Sequence, residues 1–268
     1  MGMLARAGGR QIYFEHYAGR GPTVVLSHGF GMSCRVWDDT IAWLTDRGHS
    51  VVAYDQRGCG RSDKDFADVS IEALGDDVVA LCQHLALDAV VLNGWSLGGA
   101  VVVDAGAKLS AALRGLVLTA GATPRYTQAE GFPYGGRAAD VAATVSALRA
   151  NRIAFLKGLY FGGVFAVEVG DDVKQRCFQI ALEASPGADA SLGALAQLDQ
   201  RKLLAGILAP TLVVVGARDG VVPPDIGRAA ARLLPNATLA ELDCGHAPFL
   251  ESPDAYHAAL FELLEKIR

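Results

Sequence analysis

A chain of 268 residues is too long for one minimal domain and suits one large α/β domain carrying an insertion. With 51% hydrophobic and 20% charged residues it has ample material for a buried core, which excludes a disordered or low-complexity protein. The formal charge of −5, from 24 basic and 29 acidic residues with no run of Lys or Arg, speaks against nucleic acid or an anionic membrane surface as a partner.

Taken in chain order, Gln11–Tyr17 alternates as an opening strand, and Thr23–Ser27 is a short continuous apolar run of the kind buried on both sheet faces. A helix is expected over Val36–Arg47, a strand over Ser50–Asp55, and a second helix over Ile71–Leu85. The strand Ala89–Asn93 leads into a helix over Leu97–Leu109, and the strand Leu113–Ala120 follows. Late in the chain come the strand Thr211–Gly216, the helix Pro224–Leu234, the strand Ala237–Leu242 and the helix Pro253–Lys266. Strands alternating with helices of this length predict βαβ crossovers and a mostly parallel sheet flanked by helices. Between residues 123 and 204 the rhythm breaks. Helices are expected there over Asp140–Ala150, Ile153–Leu159, Asp171–Ala184 and Leu192–Leu198, punctuated by glycine and proline. The division predicted is a core from 1–122 and 205–268 with a helical lid from 123–204.

Five scattered cysteines, Cys34, Cys59, Cys82, Cys177 and Cys244, form no C-x-x-C pair, so neither a disulfide framework nor a structural zinc site is suggested. No apolar stretch approaches the roughly 18 residues of a membrane span, and Met1–Gly21 lacks the apolar run of a signal peptide. A reducing cytoplasm is the expected address. No metal-binding or nucleotide-binding motif is present, and no cofactor is expected.

The strongest chemical signal is Gly94–Trp95–Ser96–Leu97–Gly98–Gly99, a G-x-S-x-G turn set between a strand and a helix. The flanking glycines permit a turn so sharp that the serine is lifted out of the sheet, with its Oγ at the positive end of the helix. A nucleophilic serine needs a base, and the base needs an orienting group. Of the six histidines, His246 lies between the final strand and the final helix, at the sheet edge that carries Ser96. Asp219, at the exit of Thr211–Gly216, is the candidate acid; Asp243, close to His246 in sequence, is read as capping its turn. The order Ser96, Asp219, His246 is that of nucleophile, acid and base in α/β hydrolases.

With these motifs and Ser27–His28–Gly29–Phe30, the chain resembles α/β-hydrolase-fold serine hydrolases nearly end to end. The resemblance implies an oxyanion hole from the backbone N–H groups of Phe30 and Leu97, with His28 steadying its loop. Asp55–Gln56–Arg57–Gly58–Cys59–Gly60–Arg61–Ser62 is similar to a family stretch that packs as a turn without taking part in catalysis, and Cys59 is read as a resting thiol. Gly121–Ala122–Thr123–Pro124 and Gly131–Phe132–Pro133–Tyr134–Gly135, with the segments that follow, resemble the cofactor-free bacterial haloperoxidase/arylesterase subgroup. The nucleophile turn and His246–Ala247–Pro248–Phe249 are instead similar to carboxyl methyl-ester esterases. Gly31 stands where the haloperoxidase pattern often has proline.

The function expected is hydrolysis of a small-molecule carboxylic ester through a Ser-His-Asp triad and an acyl-enzyme. The alternatives are a perhydrolase or haloperoxidase, a C–C bond hydrolase or a lactonase on the same triad, and, ranked lower, a receptor-type hydrolase acting through a partner. Trp95, Phe132, Tyr134 and Phe161 are the expected substrate-pocket residues, with Phe155, Tyr160 and Phe165 as further lid aromatics able to pack or to line it. Oligomeric state has no signature in the sequence.

Overall fold

The computed structural model describes residues 1–267. In chain order the strands and α-helices are β1 (Gly2–Ala5), β2 (Gln11–Tyr17), β3 (Arg20–Ser27), α1 (Asp38–Asp46), β4 (His49–Tyr54), α2 (Ile71–His84), β5 (Val90–Trp95), α3 (Leu97–Lys108) and β6 (Leu113–Thr119). Between β6 and the next strand run α4 (Ala138–Ala150), α5 (Arg152–Gly162), α6 (Asp171–Leu182), α7 (Ala190–Ala194) and α8 (Arg201–Gly206). The chain then closes with β7 (Thr211–Gly216), α9 (Pro224–Leu233), β8 (Ala237–Leu242), α10 (Pro248–Glu251) and α11 (Pro253–Lys266).

The strands form one sheet in the order β1-β2-β4-β3-β5-β6-β7-β8, with β1/β2 and β2/β4 antiparallel and every later pairing parallel. The expected strands and core helices form within a residue or a few of their expected ends. β1 was not anticipated. It is a four-residue edge strand with one buried side chain, Leu4, so it has no alternation to betray it.

Both faces of the central strands are covered, which explains their continuous apolar runs. On β3, Val25 points to the side packed by α2, α3 and α9, while Val24 and Leu26 point to the side packed by α1 and α11. Leu74, Val78, Leu81, Val101 and Ile226 fill the first layer; Trp37, Leu44, Tyr256 and Leu260 fill the second. Each such side chain contributes about 1.5–3 kcal/mol by leaving water. A buried polar relay also ties α11 to the sheet: Asn93 Nδ2 donates to the Tyr256 hydroxyl over 2.8 Å, and Thr119 Oγ1 donates to Asn93 Oδ1 over 3.0 Å.

The excursion between β6 and β7 leaves and returns at one place. The Gln200 amide N–H donates to the Pro124 carbonyl over 2.9 Å, and Thr123 Oγ1 donates to Gln200 Oε1 over 2.7 Å. Gln200 Nε2 then donates to the Ala100 carbonyl of α3 over 2.8 Å. Helix α8, which spans the expected 204/205 boundary, packs against α3 and α9. Helices α4 to α7 pack on one another, and Arg176 of α6 reaches Asp38 at the start of α1. Among the described residues no helix is long and apolar enough to cross a membrane.

Candidate active site

Strand order reverses at β3, whose neighbours β4 and β5 follow it in sequence on opposite sides. At such a switch point the loops leaving the two diverging strands open a crevice beyond the carboxyl ends. The loop after β3 carries His28 to Gly31, and the turn after β5 carries Ser96, so both reach the same crevice.

The turn at Ser96 is built by exclusion of side chains. A Cβ on Gly94 would overlap the Gly98 carbonyl, and one on Gly98 would overlap the carbonyls of Ser27 and His28. Ser96 itself sits at φ 56°, ψ −122°, a conformation that costs a non-glycine residue on the order of 1–3 kcal/mol. Three backbone bonds hold it there: its N–H donates to Thr119 (3.0 Å), and its carbonyl accepts from Gly99 (2.9 Å) and Ala122 (2.9 Å). Ser96 is the N-cap of α3, yet its side chain caps nothing and its hydroxyl is left for other work. Leu97 is the first residue of that helix, where N–H groups lack intrahelical partners and the dipole favours negative charge.

His246 is nine-tenths or more buried, and its Nδ1 lies 2.7 Å from Asp219 Oδ2. Asp219 Oδ1 accepts from the amides of Val221 (2.8 Å) and Val222 (2.9 Å), so the carboxylate is fixed from behind. The His246 amide donates to the Val164 carbonyl (2.8 Å), and the His246 carbonyl accepts from Trp95 Nε1 (2.7 Å). That last bond answers where Trp95 faces: its ring borders the cavity while its indole N–H holds the His246 loop. Asp243 turns away, its carboxylate 86% exposed and 2.8 Å from Arg218.

Ser96, His246, Phe30 and Leu97 all line one cavity of about 280 Å³. Its walls are mainly apolar, from Trp95, Phe155, Leu159, Val164, Leu195 and Val222, and no Lys, Arg, Asp or Glu is among the lining residues. Tyr126 and Tyr160 add hydroxyl-bearing rings. Tyr126 donates to the Val221 carbonyl over 3.1 Å, and its phenol is raised by burial and then by nearby Asp219.

Three expected pocket residues lie elsewhere. Phe132 is buried in the core layer and meets Tyr134 edge-on at 5.2 Å, while Tyr134 lies under the Arg232 guanidinium. Phe161 is 38% exposed and packs against Phe178. The helical period separates Phe161 from the pocket face: Phe155 and Leu159, four apart, share that face, whereas two further residues turn the side chain about 200° away. Phe155 and Tyr160, two of the lid aromatics read as able to line the pocket, do line it. For Leu159, Leu192 and Leu195, which were not anticipated, the i, i+4 spacing from Phe155 and the i, i+3 spacing of the two leucines were the available signals.

His28 is fully buried and fully bonded. Its Nε2 accepts from the Gln56 amide (2.9 Å), which leaves the proton on Nδ1 for the Gly29 carbonyl (2.8 Å), and burial holds its pKa below the ordinary histidine value. Asp55 accepts from the Cys34 and Arg61 amides, each over 2.7 Å, and Arg57 pairs with Asp77 of α2. Burial pushes the Cys59 thiol up to about 12, which leaves no thiolate at neutral pH.

The sequence profile of the alpha/beta hydrolase fold matches residues 22–253. The chain is 31% identical over 257 residues to a pimeloyl-[acyl-carrier protein] methyl ester esterase of Chromobacterium violaceum, covering 94% of this chain and 98% of that protein. An esterase from Exiguobacterium antarcticum superposes with a TM-score of 0.93 at 26% identity, over 98% of each chain. A bromoperoxidase from Bacillus anthracis does so with a TM-score of 0.92 at 26% identity, over 98% of this chain and 99% of that one. With its eight-stranded sheet and its crevice at the β3/β5 switch point, the chain belongs to the alpha/beta hydrolase fold family.

Proposed function

We propose that the protein is a carboxylic ester hydrolase in which Ser96, His246 and Asp219 form a catalytic triad. The observation that carries this reading is the 2.7 Å contact between His246 Nδ1 and Asp219 Oδ2, with His246 and Ser96 lining one cavity. In the reaction Ser96 Oγ attacks the ester carbonyl carbon as His246 Nε2 takes the hydroxyl proton. Asp219 stabilises the imidazolium. The Phe30 and Leu97 amides receive the tetrahedral oxyanion, each contributing about 3 kcal/mol to the transition state. Collapse breaks the C–O bond to the alcohol, which leaves with the proton from His246. Water then attacks the acyl-Ser96 ester by the same route, releasing the acid and restoring the serine.

The apolar, uncharged walls favour a neutral ester with a compact acyl group, and the cavity falls at the small end of ligand pockets. Residues 123–204 serve as a cap that supplies one wall through Phe155, Leu159 and Leu192, over a core of 1–122 and 205–268. Five free, buried cysteines suit a reducing cytoplasm. A fluorophosphonate reagent tests the nucleophile: it should add mass at Ser96 and at no other residue, and Ser96→Ala should abolish both labelling and p-nitrophenyl ester turnover. An unlabelled Ser96 in folded protein refutes the reading.

A second reading, perhydrolysis on the same triad, draws support from the likeness to the Bacillus anthracis bromoperoxidase. Here hydrogen peroxide replaces water in the second step and yields a peracid. Bromination of an indicator in acetate, bromide and peroxide, lost in Ser96→Ala, would establish it; ester hydrolysis with no such bromination would leave hydrolysis alone.

A further inference from the structure

Five residues beyond His246 lies a carboxylate that the triad does not use. Glu251, in α10, is only 8% exposed and has no ion-pair partner among the described residues. Its charge is met by four backbone amides. Oε2 accepts from Gly245 (2.8 Å), Ala166 (2.8 Å) and Val167 (3.0 Å), and Oε1 accepts from Ala247 (3.0 Å). Hydrogen bonds from N–H groups to a carboxylate are about twice as strong as neutral ones.

The identity of the four donors matters more than their number. Gly245 and Ala247 flank His246 on both sides. Ala166 and Val167 belong to the segment between α5 and α6, whose Val164 lines the cavity and accepts the His246 amide. One side chain therefore fastens the loop of the candidate base to the wall of the substrate cavity. Gly245 shows how close the two strands of chain run: a Cβ there would sit 2.7 Å from the Ala166 nitrogen and 2.8 Å from the Val164 carbonyl oxygen. The other tie between these segments is at the surface, where Arg218 donates to the Asp243 carbonyl over 3.0 Å and to the Ala166 carbonyl over 3.3 Å, and the Cys244 thiol bonds weakly to the next carbonyl.

We infer that Glu251 is a positioning residue, which clamps the His246 loop to the 164–167 segment and so sets both the base and the cavity wall. The inference rests on the proposed triad, since it assigns Glu251 to the placement of His246. It acts through the backbone and touches no reacting atom. Removing the clamp should allow the imidazole to wander, and a displacement near 1 Å at a reacting group is worth about 10²-fold in rate.

The test uses Glu251→Gln and Glu251→Ala in the full chain, with Asp77→Asn as a stability control. Asp77 is a buried carboxylate held by Arg6 and Arg57, and it does not line the cavity. Glutamine keeps one acceptor oxygen for the Gly245, Ala166 and Val167 amides but sets its NH₂ against Ala247 N–H. Well below each melting temperature, kcat should fall roughly 3- to 10-fold in Glu251→Gln and at least about 30-fold in Glu251→Ala, with KM within about threefold. Asp77→Asn should lower the melting temperature and leave kcat alone. Should Glu251→Ala not fold, the glutamine variant and hydrogen exchange decide. Amides 244–248 and 164–167 should lose protection together in Glu251→Gln while α2 keeps its own. Wild-type kcat in Glu251→Gln, or an equal kcat loss in Asp77→Asn, overturns the clamp. A wild-type protein that neither labels at Ser96 nor turns over esters, with the paired loss of protection still present in Glu251→Gln, overturns the triad and leaves the clamp standing.

Discussion

Replacing Asp219 by asparagine changes one atom type and leaves the shape of the side chain, so its effect can be worked from the surrounding bonds. Asparagine offers one acceptor oxygen and one donor nitrogen. The amides of Val221 and Val222, at 2.8 and 2.9 Å, both point at the position of Oδ1 and claim the oxygen. The reversed orientation would oppose NH₂ to two N–H donors. The amide nitrogen must then face His246 Nδ1, where the carboxylate now sits 2.7 Å away. Nδ1 becomes an acceptor, its proton moves to Nε2, and the ring presents a proton to Ser96 where a lone pair is needed. A base in the wrong tautomer, without a carboxylate to stabilise its imidazolium, should lose about 10³- to 10⁴-fold in kcat, equivalent to roughly 4–5.5 kcal/mol. KM for a p-nitrophenyl ester should stay within about threefold, because Asp219 does not line the cavity. Stopped assays at pH 7, with circular dichroism to establish folding, give the answer. A folded Asp219→Asn enzyme with more than a tenth of wild-type kcat would refute the idea that this bond orients the base.

Gly98→Ala should cost at least about 3 kcal/mol or prevent folding, since its methyl would meet the Ser27 and His28 carbonyls; thermal melts measure this, and a shift below 2 °C would contradict the packing described. Phe155→Ala should open the acyl wall and move the preferred p-nitrophenyl ester to a longer chain, raising kcat/KM for the longer substrate by about 3- to 30-fold; an unchanged chain-length profile would place the acyl group elsewhere. Stability should also fall as pH drops from 6.5 toward 4. Burial, then the nearby Arg47 charge, holds His257 down at about 4, so below pH 6.5 the unfolded chain takes up a proton that the folded one refuses. His28, also held low by burial, acts in the same direction. His257→Phe, which keeps a ring stacked on Trp43, should flatten urea midpoints across that window, and an unaltered pH slope would count against it.

The parts of the fold that could be read in advance are those where local pattern and global packing agree. β5 announces itself as a buried parallel strand because both its faces meet helices, and the glycines at 94 and 98 announce the turn because only bare backbone fits there. The placement of Asp219 and His246 was legible because each follows the carboxyl end of a neighbouring strand, β7 and β8. The pocket was harder. Phe132 and Phe161 are as aromatic as Phe155, but which of them faces the cavity depends on how α4 to α7 pack across the sheet, and no spacing within one element encodes that. Glu251 was missed for a related reason. Its four donors come from two segments about 80 residues apart in sequence, and a lone carboxylate beside a proline and an aromatic has no pattern of its own.

The hydrogen bonds around the reactive residues suggest why the site sits at this junction of core and excursion. Ser96 spends its own amide on Thr119 and its carbonyl on Gly99 and Ala122. His246 spends its amide on Val164, its carbonyl on the Trp95 indole and its Nδ1 on Asp219, while the amides on either side of it go to Glu251. The Ser96 hydroxyl and the far imidazole nitrogen take no part in these bonds, and both residues line the cavity. Preorganisation of this kind lowers a barrier because nothing needs to reorient as charge develops. It also divides the labour: strands β5, β6 and β7 and the turns that follow them hold Ser96 and Asp219, whereas the His246 loop rests on Val164, Ala166 and Val167 of the excursion. A substitution in that short segment should therefore change rate as well as selectivity, while a substitution on the exposed face of α5, such as Ile153→Ser, should change neither.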